Sequence, residues 1–426
     1  MARLNTSWPA ILGGNPAVAL DQSAANRWPI FTKEDEDAVL QILRDGDLST
    51  HPVVRRLEDD YRHYLGARYA LAHCNGTAAL LAAFFAADLR PGDEVIVPSA
   101  TWWASAVPVL WLGALPVFAE SEERRGGLDP EDVVRKLTPR TRAIVAVHLW
   151  GMPSRMTRLL AVAREHRLIV IEDASHAHGA TWRGRKCGTL GDMSVFSLQG
   201  HKLAPAGEGG MFLTDREDLY ERAALLGDVM RIAELSSAAR RYYATSFGIK
   251  TRMAPLSAAI ARVQLRHLDE RNARRNANLE YLSRQLEKFG FETYLPPPHV
   301  RRVYFEYLVR VPAGLGMPIT ALIRALAAEG CDVQQPRYPL LHQQPLFTEG
   351  EFRRIARLPP DVEAPTYRPD ALPRSEALNE RLIRLPTFPQ AEPTLLDQYA
   401  EAFAKVLDHA QAVAQSVEAD AQPIST

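Results

Sequence analysis

The chain has 426 residues, is 46% hydrophobic and 24% charged, and carries 50 Lys and Arg against 51 Asp and Glu, a net charge of −1. This composition excludes a disordered protein, and the balanced charge argues against a nucleic-acid-binding protein. No apolar run reaches the roughly 18 residues that span a bilayer, the N-terminal residues lack a signal-peptide pattern, and the three cysteines are too far apart for a disulfide framework or a zinc motif. We therefore expect a cytoplasmic globular protein, most simply an enzyme, without a metal site.

Helix and strand patterns alternate along the first two thirds of the chain. Amphipathic or apolar helices are predicted over 33–45, 53–65 and 75–89, and short Val- and Ile-rich strands over 94–98, 114–120, 142–150 and 167–175. Residues 192–214 predict a strand, a glycine-rich loop and a second strand. Such alternation is typical of an α/β fold with a mainly parallel sheet, and ligands bind such sheets at the carboxyl ends of the strands.

The remaining third differs in pattern. A helical stretch covers about 255–289, and the composition changes near Tyr294. Beyond that point we predict a strand (304–311), a helix (319–330), a Pro-rich loop region (335–390) and a last helix (394–410). The sequence therefore predicts a large α/β domain over 1–290, a smaller C-terminal α+β domain over 291–410 and a disordered tail over 411–426.

Two residues suggest the chemistry. Asp173 ends the apolar strand 167–175, where it either caps a following helix or holds a cationic group of a ligand. Lys202 stands between apolar residues and a glycine-rich loop, which favours a buried amine with a lowered pKa that can act as a nucleophile. A Schiff-base lysine paired with an aspartate on a pyridinium nitrogen is the protein half of a pyridoxal phosphate site. His176 and His178 follow Asp173, but no third ligand suggests a metal.

The phosphate of such a cofactor needs hydrogen-bond donors. Gly76 and Thr77 open a predicted helix, whose first N–H groups can bind phosphate, although the same residues also suit an ordinary helix cap. Ser197 is a second candidate hydroxyl, five residues before Lys202. Trp102 either stacks on a planar ring or belongs to the core.

Six segments occur in the order in which one known family carries them: NGTAAL, GDEVIVPSATWWASA, VHLWG, IEDASHAHGA, FSLQGHK followed by GEGG, and GIKTRMAPLSAAIARVQL. Over about residues 25–410 the chain therefore resembles the DegT/DnrJ/EryC/StrS family of pyridoxal-phosphate-dependent sugar and aminocyclitol aminotransferases. The resemblance implies the aspartate-aminotransferase-like fold (fold type I) and a homodimer with shared active sites. It also implies transfer of an amino group from L-glutamine or L-glutamate to a keto-cyclitol or keto-sugar, in antibiotic or polysaccharide biosynthesis.

The resemblance also implies a role for each matched position. Lys202 matches the lysine that forms the internal aldimine and then moves the proton. Three matched positions contact the ring: Asp173 at the pyridine nitrogen, His176 at the ring hydroxyl, and Trp102 stacked on the ring. Many members have Gln at the position of His176. The matched phosphate ligands are Gly76, Thr77 and Ser197.

Two positions depart from the family pattern. Lys250 stands where members often have an Asn that the neighbouring subunit contributes to the phosphate, and a lysine can serve there as a point charge. Pro205 stands where a Ser or Thr is usual, so this loop lacks the hydroxyl that members have there. A sugar dehydratase of the same fold has His in place of the lysine, so His201 suggests that alternative. An aminohydroxybenzoate synthase and a non-catalytic regulator are further alternatives.

The acceptor is less defined than the cofactor. Gln199 resembles members that aminate keto-cyclitols, and also aminohydroxybenzoate synthases, whereas many nucleotide-sugar members have His there. A nucleotide sugar needs a basic patch, which either Arg337 or Arg183, Arg185 and Lys186 can supply unless these are ordinary surface residues. Tyr338 and His342 fall where members place acceptor-contacting residues.

Overall fold

A seven-stranded sheet forms the centre of the computed structural model, which describes residues 8–359 and 362–421. The strands of all sheets in the described residues are β1 (Tyr69–His73), β2 (Glu94–Pro98), β3 (Leu115–Ala119), β4 (Thr141–Val147), β5 (Ile169–Asp173), β6 (Thr181–Trp182), β7 (Arg185–Lys186), β8 (Met193–Ser197), β9 (Gly210–Thr214), β10 (Val300–Arg301), β11 (Tyr307–Arg310) and β12 (Leu382–Leu385). Two smaller sheets hold β10-β6-β7 and β11-β12. The order in the large sheet is β1-β9-β8-β5-β4-β2-β3, and the β8-to-β3 pairs are all parallel. β9 runs antiparallel to both of its neighbours, β1 and β8. The predicted α/β fold with a mainly parallel sheet is thus confirmed.

Helices cover the sheet and build the C-terminal part of the chain. They are α1 (Lys33–Asp45), α2 (Val53–Leu65), α3 (Gly76–Ala86), α4 (Pro130–Lys136), α5 (Met156–His166), α6 (Glu217–Ala224), α7 (Val229–Glu234), α8 (Pro255–Arg266), α9 (Leu268–Leu286), α10 (Ile319–Ala328), α11 (Pro345–Thr348), α12 (Phe352–Ala356), α13 (Pro373–Asn379), α14 (Pro393–Asp408) and α15 (Ala410–Ala421). Among the helices in the described part of the chain, none is both long and apolar enough to cross a bilayer.

Local signals explain why the first helices have the bounds that the sequence predicts. Thr32 and Asp35 form a reciprocal capping box at the start of α1, in which the Thr32 N–H donates to the Asp35 carboxylate over 2.8 Å. Gly46 and Gly66 end α1 and α2 in the left-handed conformation, with φ of 76° at both. These signals lie in neighbouring residues, so the sequence alone is enough to place both helices.

The apolar strands place the cavity. Every residue of β2 is buried, as expected of a strand covered by helices on both faces. Because β2, β4, β5 and β8 are parallel, their carboxyl ends meet at one edge of the sheet. Asp173 and Ser197 end two of these strands, which brings two predicted site residues to that edge.

The C-terminal third departs from the predicted pattern in two places. The region 335–390, predicted as loops, contains α11, α12, α13 and β12. Pro345 and Pro373 occupy first helical turns, where proline is tolerated because its missing N–H has no partner there anyway. Proline content alone therefore gave a wrong prediction for this region.

The end of the chain is the second difference. Residues 411–421 were predicted to be disordered, but they belong to helix α15, and the Val413 side chain is fully buried in the C-terminal hydrophobic cluster. Five alanines among its twelve residues favour this helix locally, and packing of Val413 against distant residues adds to its stability. Residues 422–426 lie outside the described residues.

The C-terminal hydrophobic cluster also includes residues from earlier in the chain. Val18 and Ala25 from the N-terminal segment and Leu279 from α9 pack in it with Tyr307 and Phe403. Buried Glu329 fixes the N-terminal segment by accepting the Ala10 and Ala17 N–H groups over 2.6 and 2.8 Å. The boundary between a large and a small domain at 290 remains a prediction.

Candidate active site

A cavity of about 770 Å³ opens at the carboxyl ends of the parallel strands. Its walls bring together most of the residues singled out in the sequence. The predicted site residues that line it are Gly76, Thr77, Trp102, Asp173, His176, Ser197, Lys202, Arg337 and Tyr338. Residues more than 260 positions apart in the chain therefore meet at this one edge of the sheet.

Lys202 lies in the loop between β8 and β9 and is buried. Two hydrogen bonds hold its backbone. The Lys202 N–H donates to the Gln199 carbonyl (2.8 Å), and the Trp28 indole N–H donates to the Lys202 carbonyl (3.2 Å). Burial lowers the pKa of Lys202 to about 8, although the carboxylates of Asp173 and Glu306 oppose that shift. A useful fraction of this amine is therefore neutral near pH 7, which is the form that acts as a nucleophile or base.

Asp173 is held as a fixed hydrogen-bond acceptor at the end of β5. The Ser105 hydroxyl donates to Oδ2 over 2.6 Å, and the Ser175 N–H donates to Oδ1 over 3.1 Å. The alternative that Asp173 caps a helix is wrong, because the chain continues through turns to strand β6. A buried, oriented carboxylate near Lys202 can instead hold a cationic group of a ligand.

The start of helix α3 forms another part of the cavity wall. Asn75 caps the helix by accepting the Ala78 N–H over 2.8 Å, and this leaves the N–H groups of Gly76 and Thr77 for a ligand. A Cβ at Gly76 would lie 2.8 Å from the Ser197 Cβ, so only glycine lets the helix approach the end of β8 this closely. The helix cap and the anion-binding terminus are thus one feature, suited to a phosphate.

His176 is a neutral imidazole in an aromatic stack. Its ring lies 4.1 Å from Phe305 and 5.7 Å from Tyr338, nearly parallel to both. Nδ1 of His176 accepts a hydrogen bond from the backbone N–H of Trp150 over 3.3 Å, so the ring proton is on Nε2. Nε2 lies 3.3 Å from the Tyr338 hydroxyl. Burial, reinforced by the charge of Lys202, lowers the pKa of His176 well below its usual value. His176 can therefore donate one hydrogen bond without carrying charge.

Trp102 lines the cavity with 46% of its surface exposed. Its ring centroid is 5.9 Å from that of Tyr338 and 5.6 Å from that of Trp103. The alternative that Trp102 is a core residue is therefore wrong. An exposed indole at the mouth of a cavity provides a face on which a planar ring can stack.

Two predicted site residues do not line the cavity. His342 is buried behind it, where Nδ1 lies 2.7 Å from the Ser99 hydroxyl and Nε2 lies 3.0 Å from Glu376. This imidazole is used up in holding the loop before α11 against the end of β2, so it is a packing residue in this chain rather than a substrate contact. Lys250 is exposed on the surface, as expected of a residue that serves a neighbouring subunit.

A buried cluster lies next to Asp173 in the sheet. His148, Glu172 and Cys187 bring potential metal-ligand atoms within 4.8 Å of one another. The Ser154 N–H occupies His148 Nδ1, and Glu172 accepts His148 Nε2–H over 2.8 Å. The backbone N–H groups of residues 188, 190 and 191 also donate to Glu172. The lone pairs of His148 Nδ1 and of the Glu172 carboxylate thus already accept hydrogen bonds and are not available to a metal ion. These hydrogen bonds fix the end of β5 and with it the position of Asp173.

Sequence reasoning missed several residues of the cavity. Glu208 and Thr251 line it, and so does Phe305, whose ring lies 4.2 Å from the Lys202 amine. Phe305 and Glu306 fall inside the predicted strand 304–311. The charge of Glu306 among the aromatic and aliphatic residues of 304–309 was a signal for a buried polar site.

A buried lysine of lowered pKa, a fixed carboxylate and the open start of a helix line one cavity, which is the arrangement expected of an enzyme that transfers amino groups. The chain belongs to the DegT/DnrJ/EryC1/StrS aminotransferase family, whose model matches residues 29–404. The resemblance seen in the sequence and the prediction that the protein is an aminotransferase are thus confirmed.

Two relatives and one solved structure are similar to this chain over most of its length. It is 34% identical over 401 residues to the L-glutamine:2-deoxy-scyllo-inosose aminotransferase of Streptoalloteichus tenebrarius, covering 90% of this chain and 94% of the relative. It is 37% identical over 325 residues to the GDP-perosamine synthase of Caulobacter vibrioides, covering 75% and 85%. The crystal structure of an aminotransferase from Psychrobacter cryohalolentis matches with a TM-score of 0.80 at 27% identity, covering 90% and 98%.

Proposed function

We propose that this enzyme uses pyridoxal phosphate to move an amino group from L-glutamine or L-glutamate to a keto-cyclitol or keto-sugar, in the biosynthesis of an antibiotic. The observation that carries the proposal is that Lys202, Asp173 and the start of helix α3 face one cavity. Bound pyridoxal phosphate supplies an electron-withdrawing ring that stabilises the negative charge left when a Cα–H bond breaks.

The residues of the cavity fit that cofactor. The free N–H groups at Gly76 and Thr77, with the Ser197 hydroxyl beside them, suit its phosphate. Asp173 offers an oriented carboxylate to the pyridine nitrogen, and the neutral His176 offers Nε2–H to the ring hydroxyl. We assign Trp102 to stack on the ring.

Lys202 then has two tasks. Its lowered pKa makes the neutral amine available to hold the cofactor, and the same Nζ takes and returns the proton of the substrate Cα–H bond. Asp173 keeps the positive charge on the ring nitrogen, because a buried anion favours a neighbouring cation. The aromatic residues Phe305, Trp102 and Tyr338 limit the access of water to these groups.

A keto-cyclitol is the acceptor that the sequence favours. Gln199 lines the cavity and resembles cyclitol-aminating members, and the inosose aminotransferase of S. tenebrarius supports the same substrate class with glutamine as donor. The similarity to a GDP-perosamine synthase supports a nucleotide keto-sugar as a second candidate. The lysine at position 202 favours an aminotransferase over the dehydratase, whose family members have His there.

The proposed active site is shared between two subunits. The side chains of Trp103 and Trp111 line the cavity but are 41% and 70% exposed, so they are available to a second copy. We assign Lys250 of one subunit to the cofactor phosphate of the other. A cytoplasmic location and a domain boundary near residue 290 remain predictions from the sequence.

The absorbance spectrum of the purified protein tests this function. A yellow protein that bleaches when L-glutamine or L-glutamate is added supports the proposal and identifies the donor. The bleached enzyme then serves to screen keto-cyclitols against nucleotide keto-sugars by the return of the yellow form. A protein that stays colourless after addition of pyridoxal phosphate would overturn the proposal.

A further inference from the structure

The cavity contains one cation that the proposed cofactor chemistry does not use. Lys202 and Arg337 are the only Lys or Arg among the described residues that line it. The Lys202 Nζ lies 4.2 Å and the Arg337 Cζ 6.0 Å from the centroid of the same Phe305 ring. The two cations therefore border the same part of the cavity, and a ligand whose amino group reaches Lys202 can extend its other substituents toward Arg337.

The counterion of Arg337 is unusual. Glu306 is buried, and its Oε1 lies 3.0 Å from the Arg337 Nε. Neither carboxylate oxygen of Glu306 has a hydrogen bond of acceptable geometry in the described part of the chain. Burial raises the pKa of Glu306, and the charge of Arg337 opposes that shift. A buried carboxylate normally accepts several hydrogen bonds, so this one is poorly satisfied and depends on the guanidinium.

The guanidinium itself is only partly engaged. Glu306 contacts Nε, and the Arg337 side chain is 42% exposed at the cavity wall. An arginine can form two parallel hydrogen bonds to a carboxylate through its planar fork, and such bidentate pairs are stronger than a single contact. Arg337 is thus able to exchange Glu306 for a better-placed carboxylate.

We propose that Arg337 binds the α-carboxylate of the amino donor, and that Glu306 resumes its place as counterion once the donor has left. The inference rests on the proposed function, because such an enzyme must accept an amino acid with its carboxylate and then an uncharged keto-cyclitol in one cavity. An arginine without a counterion would retain an anion and hinder the second substrate. Because Glu306 is the counterion of Arg337 when no donor is bound, the same cavity can accept both substrates.

Two variants separate the roles. Arg337→Gln removes the charge, and we expect it to weaken binding of a donor carboxylate by about 10- to 100-fold, the range for a charge-assisted hydrogen bond. Glu306→Gln keeps the shape but removes the competing anion. We expect it to tighten carboxylate binding by at least about threefold and to make the acceptor step more sensitive to inhibition by the released oxo acid.

The experiment measures binding to the enzyme loaded with pyridoxal phosphate by calorimetry. The probe is glutaramate, which is glutamine without its amino group, and glutaramide is the uncharged comparator. Arg354→Gln and Glu351→Gln are matched controls, because those side chains form an exposed ion pair of 3.1 Å on the surface. Arg337→Lys is a further variant that keeps the charge but loses the planar fork.

The outcomes distinguish the inference from the proposed function. Loss of glutaramate binding in Arg337→Gln, with tighter binding in Glu306→Gln and neither change in the controls, supports the inference. If the enzyme bleaches with glutamine while Arg337→Gln binds glutaramate like the wild type, the inference fails and the function stands. If glutaramate binding depends on Arg337 but no amino group is transferred, the function fails and the carboxylate site stands. If Arg337→Gln binds glutaramate normally and loses only the binding of a nucleoside diphosphate, Arg337 serves the acceptor and the inference is overturned.

Discussion

At the scale of single residues, the lowered pKa of Lys202 predicts how the rate of binding of the proposed cofactor depends on pH. Burial lowers this pKa to about 8, so the neutral, reactive amine increases as the pH rises through that value. We expect the rate at which the cofactor-free chain binds pyridoxal phosphate to rise about tenfold from pH 6 to 7 and to level off above about pH 9. Stopped-flow absorbance at the wavelength of the yellow form measures this rate.

The control for this pH dependence is Lys202→Ala, which should bind the cofactor without forming the yellow species. A rate that still climbs at pH 10 would show a lysine with an ordinary pKa and would contradict the burial argument.

Single residues also show how far the sequence defines the site. Lys202, Asp173 and the Gly76-Thr77 pair were predictable because each follows directly from a strand or helix signal in its own segment. Arg337 was indicated only as a candidate basic patch and Tyr338 only by resemblance, and Glu306 was missed. Their position depends on how the segments after residue 300 pack against the sheet, which no local pattern records.

At the scale of elements, the approach of helix α3 to strand β8 is a sensitive contact. In Gly76→Ala the new methyl would lie 2.8 Å from the Ser197 Cβ, so one of the two backbones has to move. We expect a loss of about 1–3 kcal/mol in the free energy of unfolding and weaker binding of pyridoxal phosphate. Urea unfolding and a cofactor titration measure the two effects.

Gly314→Ala is the matched control for this substitution, because a Cβ there meets nothing within 4 Å. Equal cofactor affinity in Gly76→Ala and the wild type would contradict the assignment of this helix terminus to the phosphate.

Another element-scale contact joins the two ends of the chain. Glu329 and Lys405 form a buried ion pair of 2.9 Å that also holds the N-terminal segment. We expect Glu329→Ala to lower the free energy of unfolding by about 3–5 kcal/mol, because the substitution leaves Lys405 buried without a counterion. Chemical denaturation measures this loss.

The exposed pair Arg274–Glu392 provides the comparison. Glu392→Gln should cost at most about 1 kcal/mol, as for other surface ion pairs. A similar small effect in Glu329→Ala would mean that the N-terminal segment contributes little to the stability of the C-terminal cluster.

The elements themselves were predictable to different degrees. Helices α1 and α2 and strand β2 have the bounds that the sequence predicts, because caps and apolar runs mark them locally. The helical stretch predicted over about 255–289 is helical in the structure and divides at His267 into α8 and α9. Helices α11 to α13 are too short for a periodic pattern to show, and in α15 the packing of Val413 against distant residues leaves no local signal.

At the scale of the whole molecule, a shared active site predicts complementation between inactive subunits. Lys202→Ala removes the reactive amine from one subunit, and Lys250→Ala removes the proposed phosphate contact that it gives to the other. A mixed dimer then has one site with both defects and one intact site, so random mixing should restore about a quarter of the wild-type activity. Activity assays after unfolding and refolding the two variants together test this, with each variant refolded alone as the control. No recovery, or full activity of Lys250→Ala alone, would contradict the shared site.

The most direct test of the whole account follows the nitrogen atom. The enzyme is incubated with glutamine labelled with ¹⁵N in its amino group and with scyllo-inosose or a nucleotide keto-sugar, and the products are analysed by mass spectrometry. The account predicts an aminated product one mass unit heavier than its unlabelled form, and no such product with Lys202→Ala. An unlabelled product, or none from either acceptor with labelled glutamine or glutamate, would contradict it.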